Sequence, residues 1–259
     1  MVERARIALI DLTGGIRFER LHKVAAAIER QIRHDVGSVW PVDARVGVMR
    51  HGDEIPPGVW VVQIVPDAHG HGGFHFDENG RPYAKIGAGP HWTLSASHEI
   101  LEMVFDPLGN TMRPAPAIEL RRGEVHNARG RFRYLMEICD PCESADLAYK
   151  IGDVVVSDFC TPHYYDDAEV RPGRKYSFNG GITAPRQVPK GGYLSWYNPR
   201  IDKMQMLRNL PRDRVPRIHT FNEGMPKRRS VREFVDGRLH SMHRLAQASQ
   251  DHPIFHGGR

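Results

Sequence analysis

The sequence predicts a mixed α/β fold of the α+β type, with a helical extension at its C-terminal end. Three observations predict this class. Apolar runs typical of strands alternate with segments of helical periodicity, glycine and proline separate them, and 40% of the 259 residues are hydrophobic. A chain of this length and composition can bury a sizeable core, which excludes disordered, collagen-like and coiled-coil proteins.

The first half of the chain has a regular order of elements. β-branched and aliphatic runs bounded by Gly or Pro indicate strands, and apolar residues at helical spacing indicate helices. The predicted elements, in chain order, are a strand at 6–12, a helix around 21–32, strands at 45–50 and 59–65, a Gly/His-rich surface loop at 66–80, a strand at 83–88 and a helix at 93–105.

The second half is less regular. Strands are predicted at 131–139 and 153–159, whereas the Gly, Pro and aromatic-rich segment 164–198 supports no assignment. Ser230 and Glu233 have the spacing of a capping box, which predicts a helix from there to about Ser249. Apolar residues recur along it at helical spacing, so we expect this helix to dock within the chain or across a homo-oligomer.

The net charge of +5 is concentrated in the tail. Residues 200–259 contain 13 Lys and Arg against 6 Asp and Glu, a net charge of +7, and residues 1–199 have a net charge of −2. The sequence therefore divides into a domain at 1–199 and a basic extension at 200–259. The extension is either a contact surface for an acidic partner or a solvated segment.

The sequence also predicts the cellular compartment of the protein. Its longest apolar runs, such as 59–65, are far shorter than the ~18 residues of a membrane-spanning helix. Charges within the first twelve residues exclude a signal peptide. Three cysteines are too few for a disulfide framework in a chain of this size. We therefore expect a soluble, cytoplasmic protein that has no membrane partner.

The helix at 93–105 carries the candidate chemistry. It is apolar nearly all round and so should be buried, yet it contains His98, Glu99 and Glu102. Buried charges are costly unless they are paired or bind a metal. His98 and Glu102 are four residues apart and share one face, as two ligands of one ion would, and Glu99 stands beside them where a general base is placed.

This His98-Glu99-x-x-Glu102 helix and the elements before it resemble the zincin metallopeptidases. The continuation into Asp106-Pro107, with a later Glu137-x-x-Asp140 segment, is similar to a group of bacterial zincin-like proteins; the resemblance covers about residues 5–160. It implies a zinc peptidase in which His98 and Glu102 bind the ion, Glu99 activates water, and an edge strand at 83–88, beginning at Tyr83, aligns a peptide or protein substrate.

The third metal ligand is open. Glu137 is our first choice and Asp140 the second, because both carboxylates lie in an otherwise apolar segment and need a partner; Asp106 at the helix end is a weaker candidate. One His with two carboxylates favours zinc but also suits manganese, iron or calcium. In the predicted loop at 66–80, His75 is the histidine nearest the edge strand and is assigned to ligand or substrate binding.

Three alternatives compete with a peptidase. The buried ionisable residues of the helix could form an ion-pair cluster, for example with Arg113, Arg131 or Arg133. They could also bind a metal in a catalytically silent binding protein. The third alternative is a zinc-ribbon protein that contacts nucleic acid. Its ligands would be Cys139, Cys142, Cys160 and His163, and its basic contacts Lys227, Arg228, Arg229 and Arg232.

Overall fold

The computed structural model describes residues 4–69, 72–211, 213–227 and 229–239. The predicted C-terminal helix therefore lies only partly within the described residues, and its continuation to Ser249 lies outside them. The described part contains two five-stranded sheets, a small hairpin and four α-helices. This architecture confirms the predicted mixed α/β class.

The first sheet is built from the N-terminal third of the chain. Its elements are β1 (Ala5–Asp11), α1 (Phe18–Arg30), β2 (Ala44–Val48), β3 (Val59–Val65), β4 (Gly73–Glu78) and β5 (Arg81–Gly87). The strand order is β2-β1-β3-β5-β4. Parallel pairing joins β2, β1, β3 and β5, whereas β4 is antiparallel to β5 and forms an edge of the sheet.

The prediction of a loop throughout 66–80 is wrong, because β4 occupies 73–78. Asn79 and Gly80 connect β4 to β5, and both have positive φ, 53° and 76°. Two residues with positive φ form the turn that best matches the twist of a hairpin, and Asn-Gly is its strongest sequence signal. The many histidines and glycines of this segment favour a loop over a strand when only composition is considered.

The predicted edge strand is also misplaced. The strand at 83–88 corresponds to β5, which lies between β3 and β4 and has no free edge. The antiparallel strand β4 takes the edge instead. His75 therefore lies on an edge strand rather than in a loop, and Tyr83 lies on the strand next to it.

The second long helix, α2 (Trp92–Phe105), follows β5 and contacts β4 and β5. It is buried along most of its length, as its apolar sequence predicts. Asp106 ends it: its carboxylate accepts hydrogen bonds from the backbone N–H and the hydroxyl group of Thr111. A tight turn that includes Gly109 follows.

The second sheet is antiparallel and has the order β12-β11-β10-β7-β6. Its strands are β6 (Met112–Arg121), β7 (Glu124–Leu135), β10 (Tyr193–Asn198), β11 (Lys203–Arg208) and β12 (Arg217–Thr220). Three elements lie between β7 and β10 in the chain: the hairpin strands β8 (Tyr149–Ile151) and β9 (Val154–Val156), and the short helix α3 (Pro162–Asp166). The sequence predicts the C-terminal part of β7 and the whole of β9. Pro114 and Pro116 obscure β6, which as an edge strand tolerates them.

The predicted boundary at 199/200 falls in the turn between β10 and β11, which pair along six register positions. Residues 231–239 form a fourth helix, α4, and Ser230 caps it by accepting the backbone N–H of Glu233. Val231, Phe234 and Val235 of α4 pack against the second sheet in their own chain. Within the described residues, no helix is long and apolar enough to cross a membrane.

Candidate metal centre

The three ionisable residues of α2 converge at the centre of the molecule. The exposed fractions of His98, Glu99 and Glu102 are 8%, 5% and 0%. His98 Nε2 lies 3.3 Å from Glu102 Oε2, as expected for residues four apart on one helical face. The predicted convergence of an imidazole and two carboxylates on α2 is therefore present.

Glu102 is oriented by the segment that follows β7. Its Oε1 atom accepts the backbone N–H groups of Cys139 and Asp140, at 3.0 and 3.1 Å. Its Oε2 atom is buried and has no hydrogen-bond partner. Two backbone donors thus hold one carboxylate oxygen and leave the other facing the cluster.

The two candidates for the third ligand both reach the cluster. Asp140 Oδ1 lies 3.3 Å from His98 Nε2. Glu137 lies on the other side, where its Oε2 is 3.8 Å from His75 Nε2. Asp140 therefore joins His98 and Glu102, whereas Glu137, our first choice from sequence, faces His75.

The edge strand supplies a second histidine. His75 is 1% exposed, and its Nδ1 atom lies 2.9 Å from Glu99 Oε2. The close approach of β4 to α2 needs small residues, because a Cβ atom at Gly73 would lie 2.9 Å from Glu99 Cγ, and one at Gly72 would lie 2.7 Å from Ser95 Oγ. Tyr83 does not enter the cluster, and its side chain lines the adjacent cleft.

Arg232 of α4 is the residue that sequence reasoning placed wrongly. It is 4% exposed, which contradicts its assignment to an exposed nucleic-acid surface. Its guanidinium group lies within 4.0 Å of the carboxylates of Glu99, Glu102, Glu137, Asp140 and Asp236. The capping box at Ser230 predicts the helix but not its docking position, which depends on contacts distant in sequence.

The cationic partners proposed from sequence lie elsewhere. Arg113 pairs with Asp166, Arg131 donates to the carbonyl group of Pro114, and Arg133 is exposed. The ion-pair alternative is wrong about these three arginines. The cation that pairs with the buried carboxylates is instead Arg232.

Burial and charge shift the proton affinities of the cluster in opposite directions. Burial raises the pKa of Glu137 well above its usual value, and it also raises that of Asp140. Burial would also raise the pKa of Glu99, but the hydrogen bond with His75 and the charge of His98 outweigh it and lower that pKa. Burial disfavours the charged form of His98, yet the charge of Glu102 raises its pKa well above the usual value.

The donor set fits a divalent cation. His98, Glu102 and Asp140 form one group of potential ligand atoms, and His75, Glu99 and Glu102 form another, each within 4.8 Å. Glu102 Oε2 and Asp140 Oδ1 are buried and have no hydrogen-bond partner. Their 3.3 Å distances from His98 Nε2 match the edges of about 3.3 Å in a tetrahedral shell with ligands ~2.0 Å from zinc.

The cluster opens on a cleft of about 760 Å³. The cleft is lined by residues of β4, β5, α2, β11 and α4, and its lining includes His98, Glu99 and Arg232. Phe74 and Phe76 on β4 and Tyr83 on β5 contribute apolar surface. A ligand in the cleft would thus meet the polar cluster on one side and an aromatic strand face on another.

The cysteine alternative lacks the geometry of a zinc site. Cys139, Cys142 and Cys160 are buried and free, and burial raises the pKa of all three thiols, that of Cys160 to about 11. His163 accepts a hydrogen bond from Arg174 at 2.9 Å. Neither group of potential ligands found among the described residues includes a cysteine.

Comparison of this chain with protein-family models, with curated proteins and with solved structures gives no match. The resemblance to zincins therefore rests on the sequence motif and on the order of the predicted elements.

Proposed function

We propose that this protein is a metal-dependent hydrolase of peptide bonds, most simply a zinc peptidase. The observation that carries the proposal is the set of three buried ligand atoms on His98, Glu102 and Asp140, two of whose separations have the length of a tetrahedral edge. Two of the three atoms lack any hydrogen-bond partner, so a bound cation would satisfy them. This choice replaces Glu137 with Asp140 as the third ligand.

A divalent cation at this position would supply Lewis-acid chemistry, acidifying water and polarising a carbonyl group. One imidazole and two carboxylates suit zinc, and they also accept manganese, iron or calcium. The site's position at the cleft gives a substrate access to it. A zinc ion held by these three residues would keep an open coordination position for a small molecule.

Glu99 is the general base in this proposal. Its lowered pKa keeps the carboxylate ionised at neutral pH, and His75 holds the side chain through the contact with Oε2. Glu99 lines the cleft, so a water molecule there can reach it. The carboxylate takes a proton from that water and passes it to the leaving amine, as a general base that becomes a general acid.

An extended peptide is the substrate that best fits the cleft. Because β4 is an edge strand of its sheet, one row of its backbone groups is available within that sheet for pairing with an added strand. The aromatic residues Phe74 and Phe76 offer apolar contacts beside it. The three free thiols support a reducing compartment, and a cytoplasmic location is part of this proposal.

A catalytically silent protein is the second candidate, and Arg232 is the observation that favours it. Its guanidinium group supplies a positive charge to the four buried carboxylates Glu99, Glu102, Glu137 and Asp140. A cluster neutralised in this way can stabilise a fold without turnover. The peptidase and the silent protein therefore differ in whether Glu99 has a reaction to catalyse.

The substitution Glu99→Gln separates the two candidates. Zinc-loaded wild type should cleave members of a broad peptide library. Glu99→Gln should retain the metal but cleave the same peptides about 10²–10⁴-fold more slowly, because an amide cannot accept the proton. The control is Glu233→Gln, which changes an exposed glutamate of the same cleft. If wild type loaded with zinc, manganese, iron or calcium cleaves nothing, the protein is a silent binder.

A further inference from the structure

Part of the buried cluster remains unsatisfied after His98, Glu102 and Asp140 are assigned to one cation. His75 Nε2 and both carboxylate oxygens of Glu137 are buried and have no hydrogen-bond partner. The two side chains are 1% and 2% exposed and face each other, with Nε2 3.8 Å from Oε2. The guanidinium group of Arg232 lies 3.6 Å from Glu137 Oε2, too far for a hydrogen bond, so these atoms still lack a hydrogen-bond partner.

The hydrogen bond with Glu99 determines which nitrogen of a neutral His75 carries the proton. A carboxylate only accepts hydrogen bonds, so the Nδ1 atom, 2.9 Å from Glu99 Oε2, carries the proton and donates. Nε2 is then left with its lone pair. A histidine that donates one ring N–H to a carboxylate and offers its other nitrogen is the usual form of a metal-bound histidine.

The charge balance of the cluster points the same way. Five carboxylates lie within 4.0 Å of the single guanidinium group of Arg232, so acidic side chains outnumber this arginine by four in the buried cluster. Divalent cations bound to the deprotonated carboxylates would supply further positive charge. Uncompensated charge in a buried site is strongly unfavourable.

We propose that the cluster binds a second divalent cation, held by His75 Nε2 and the carboxylate of Glu137, with Glu102 lying between the two cation positions. Glu102 Oε2 lies 3.3 Å from His98 Nε2 and 3.9 Å from His75 Nδ1, which places this carboxylate between the two histidines. The proposal rests on the first cation site of the proposed function. It gives His75 and Glu137 a direct role as ligands.

A proton is the competing explanation. A doubly protonated His75 would donate to Glu99 from Nδ1 and face Glu137 with Nε2, and this would lower the negative charge without a metal. The proton and the cation make opposite predictions about how many ions the protein binds. A count of bound metal therefore decides between them.

The experiment titrates the metal-free, full-length protein with Mn²⁺ and counts bound ions by equilibrium dialysis, with electron paramagnetic resonance as a second readout. Wild type should bind two ions whose spectra show spin coupling. His75→Gln and Glu137→Gln should each bind one, without coupling, since each removes a ligand of the second position only. The control His91→Gln changes an exposed histidine at the start of α2 and should bind two.

The outcomes separate this proposal from the proposed function. A single ion in wild type that only His98→Gln removes would overturn the second site and leave the first intact. Two ions retained by both His75→Gln and Glu137→Gln would also overturn it. No ion in wild type would overturn both proposals. Circular dichroism of each variant checks that the fold is kept, and the two independent ligand variants keep the test valid if one of them unfolds.

Discussion

At the scale of single residues, Arg232 determines the electrostatics of the site. It contacts the carboxylates from the side of α4, donating to Asp140 Oδ2 at 3.0 Å and to Asp236 Oδ2 at 2.9 Å. Asp140 is thus shared between the candidate metal site and the guanidinium group, since one of its oxygens faces His98 and the other faces Arg232. If a cation binds, Arg232 would neutralise negative charge that the cation does not balance.

Replacing Arg232 with Met should be strongly destabilising in the absence of metal. The substitution keeps the apolar stem but leaves buried carboxylates without their cation, which costs about 3–5 kcal/mol of unfolding free energy. Divalent metal should restore much of the loss and bind more tightly than in wild type. Urea unfolding with and without Zn²⁺ measures both effects.

The control for this prediction is Arg30→Met, which removes an exposed helical arginine of α1. A change at such a position costs within about 0.5 kcal/mol. Equal losses in the two variants would show that Arg232 does not compensate the cluster.

At the scale of elements, the sequence predicts those whose signals are local and misses those whose signals are distant. The extents of β1, β3 and α2 follow from runs and periodicity, and so does the convergence of His98 and Glu102 on one helical face. The hydrogen bond from Arg232 to Asp140 joins residues 92 positions apart, which periodicity cannot show. The choice between Glu137 and Asp140 depends on distances that only the folded chain gives.

The turn after α2 anchors α4. The backbone N–H of Arg232 donates to the carbonyl oxygen of Gly109, and that of Val231 donates to Asn110 Oδ1. Gly109 has a φ of +61°, and a Cβ atom there would lie 2.6 Å from Arg232 Cβ. The turn that ends the candidate catalytic helix therefore also places the arginine.

Gly109→Ala should be more damaging than Gly152→Ala. Both glycines have similar positive φ values, +61° and +64°, so both variants lose about 1–2 kcal/mol from left-handed backbone strain. Nothing lies within 4 Å of a Cβ atom at Gly152, whereas the one at Gly109 overlaps Arg232. Overpacking adds about 1–3 kcal/mol. Urea unfolding compares the variants, and equal losses would mean that α4 does not depend on this turn.

At the scale of the whole molecule, the N-terminal sheet and the C-terminal helix complete one site together. The sheet provides His75, α2 provides three residues, and the segment after β7 provides Glu137 and Asp140. The described part of the basic extension contributes β11, β12 and α4, so its positive charge is partly used inside the molecule. A truncation after Asn222 would remove α4, and with it the buried arginine.

The site also links the stability of the whole molecule to pH. His98, Glu137 and Asp140 have raised pKa values in the folded protein, so the folded state binds more protons than the unfolded state. Stability contributed in this way is present at low pH and is lost as pH rises through the folded pKa values. Glu99 and Glu102 have lowered pKa values, and their contribution is lost only in acid, below about pH 4.5.

Metal should reverse this dependence. A cation binds only deprotonated ligands, so binding releases protons and strengthens as pH rises. We expect metal-free protein to lose stability as pH rises above 6.5, the ordinary pKa of histidine. The stabilisation by saturating Zn²⁺ should grow over the same pH range, by up to about 1.4 kcal/mol per pH unit for each proton released. Thermal unfolding in EDTA and in Zn²⁺ measures the two curves, and His98→Gln should flatten both. If the stabilisation by Zn²⁺ stays constant with pH, His98 is not a ligand, because its proton then does not compete with the cation.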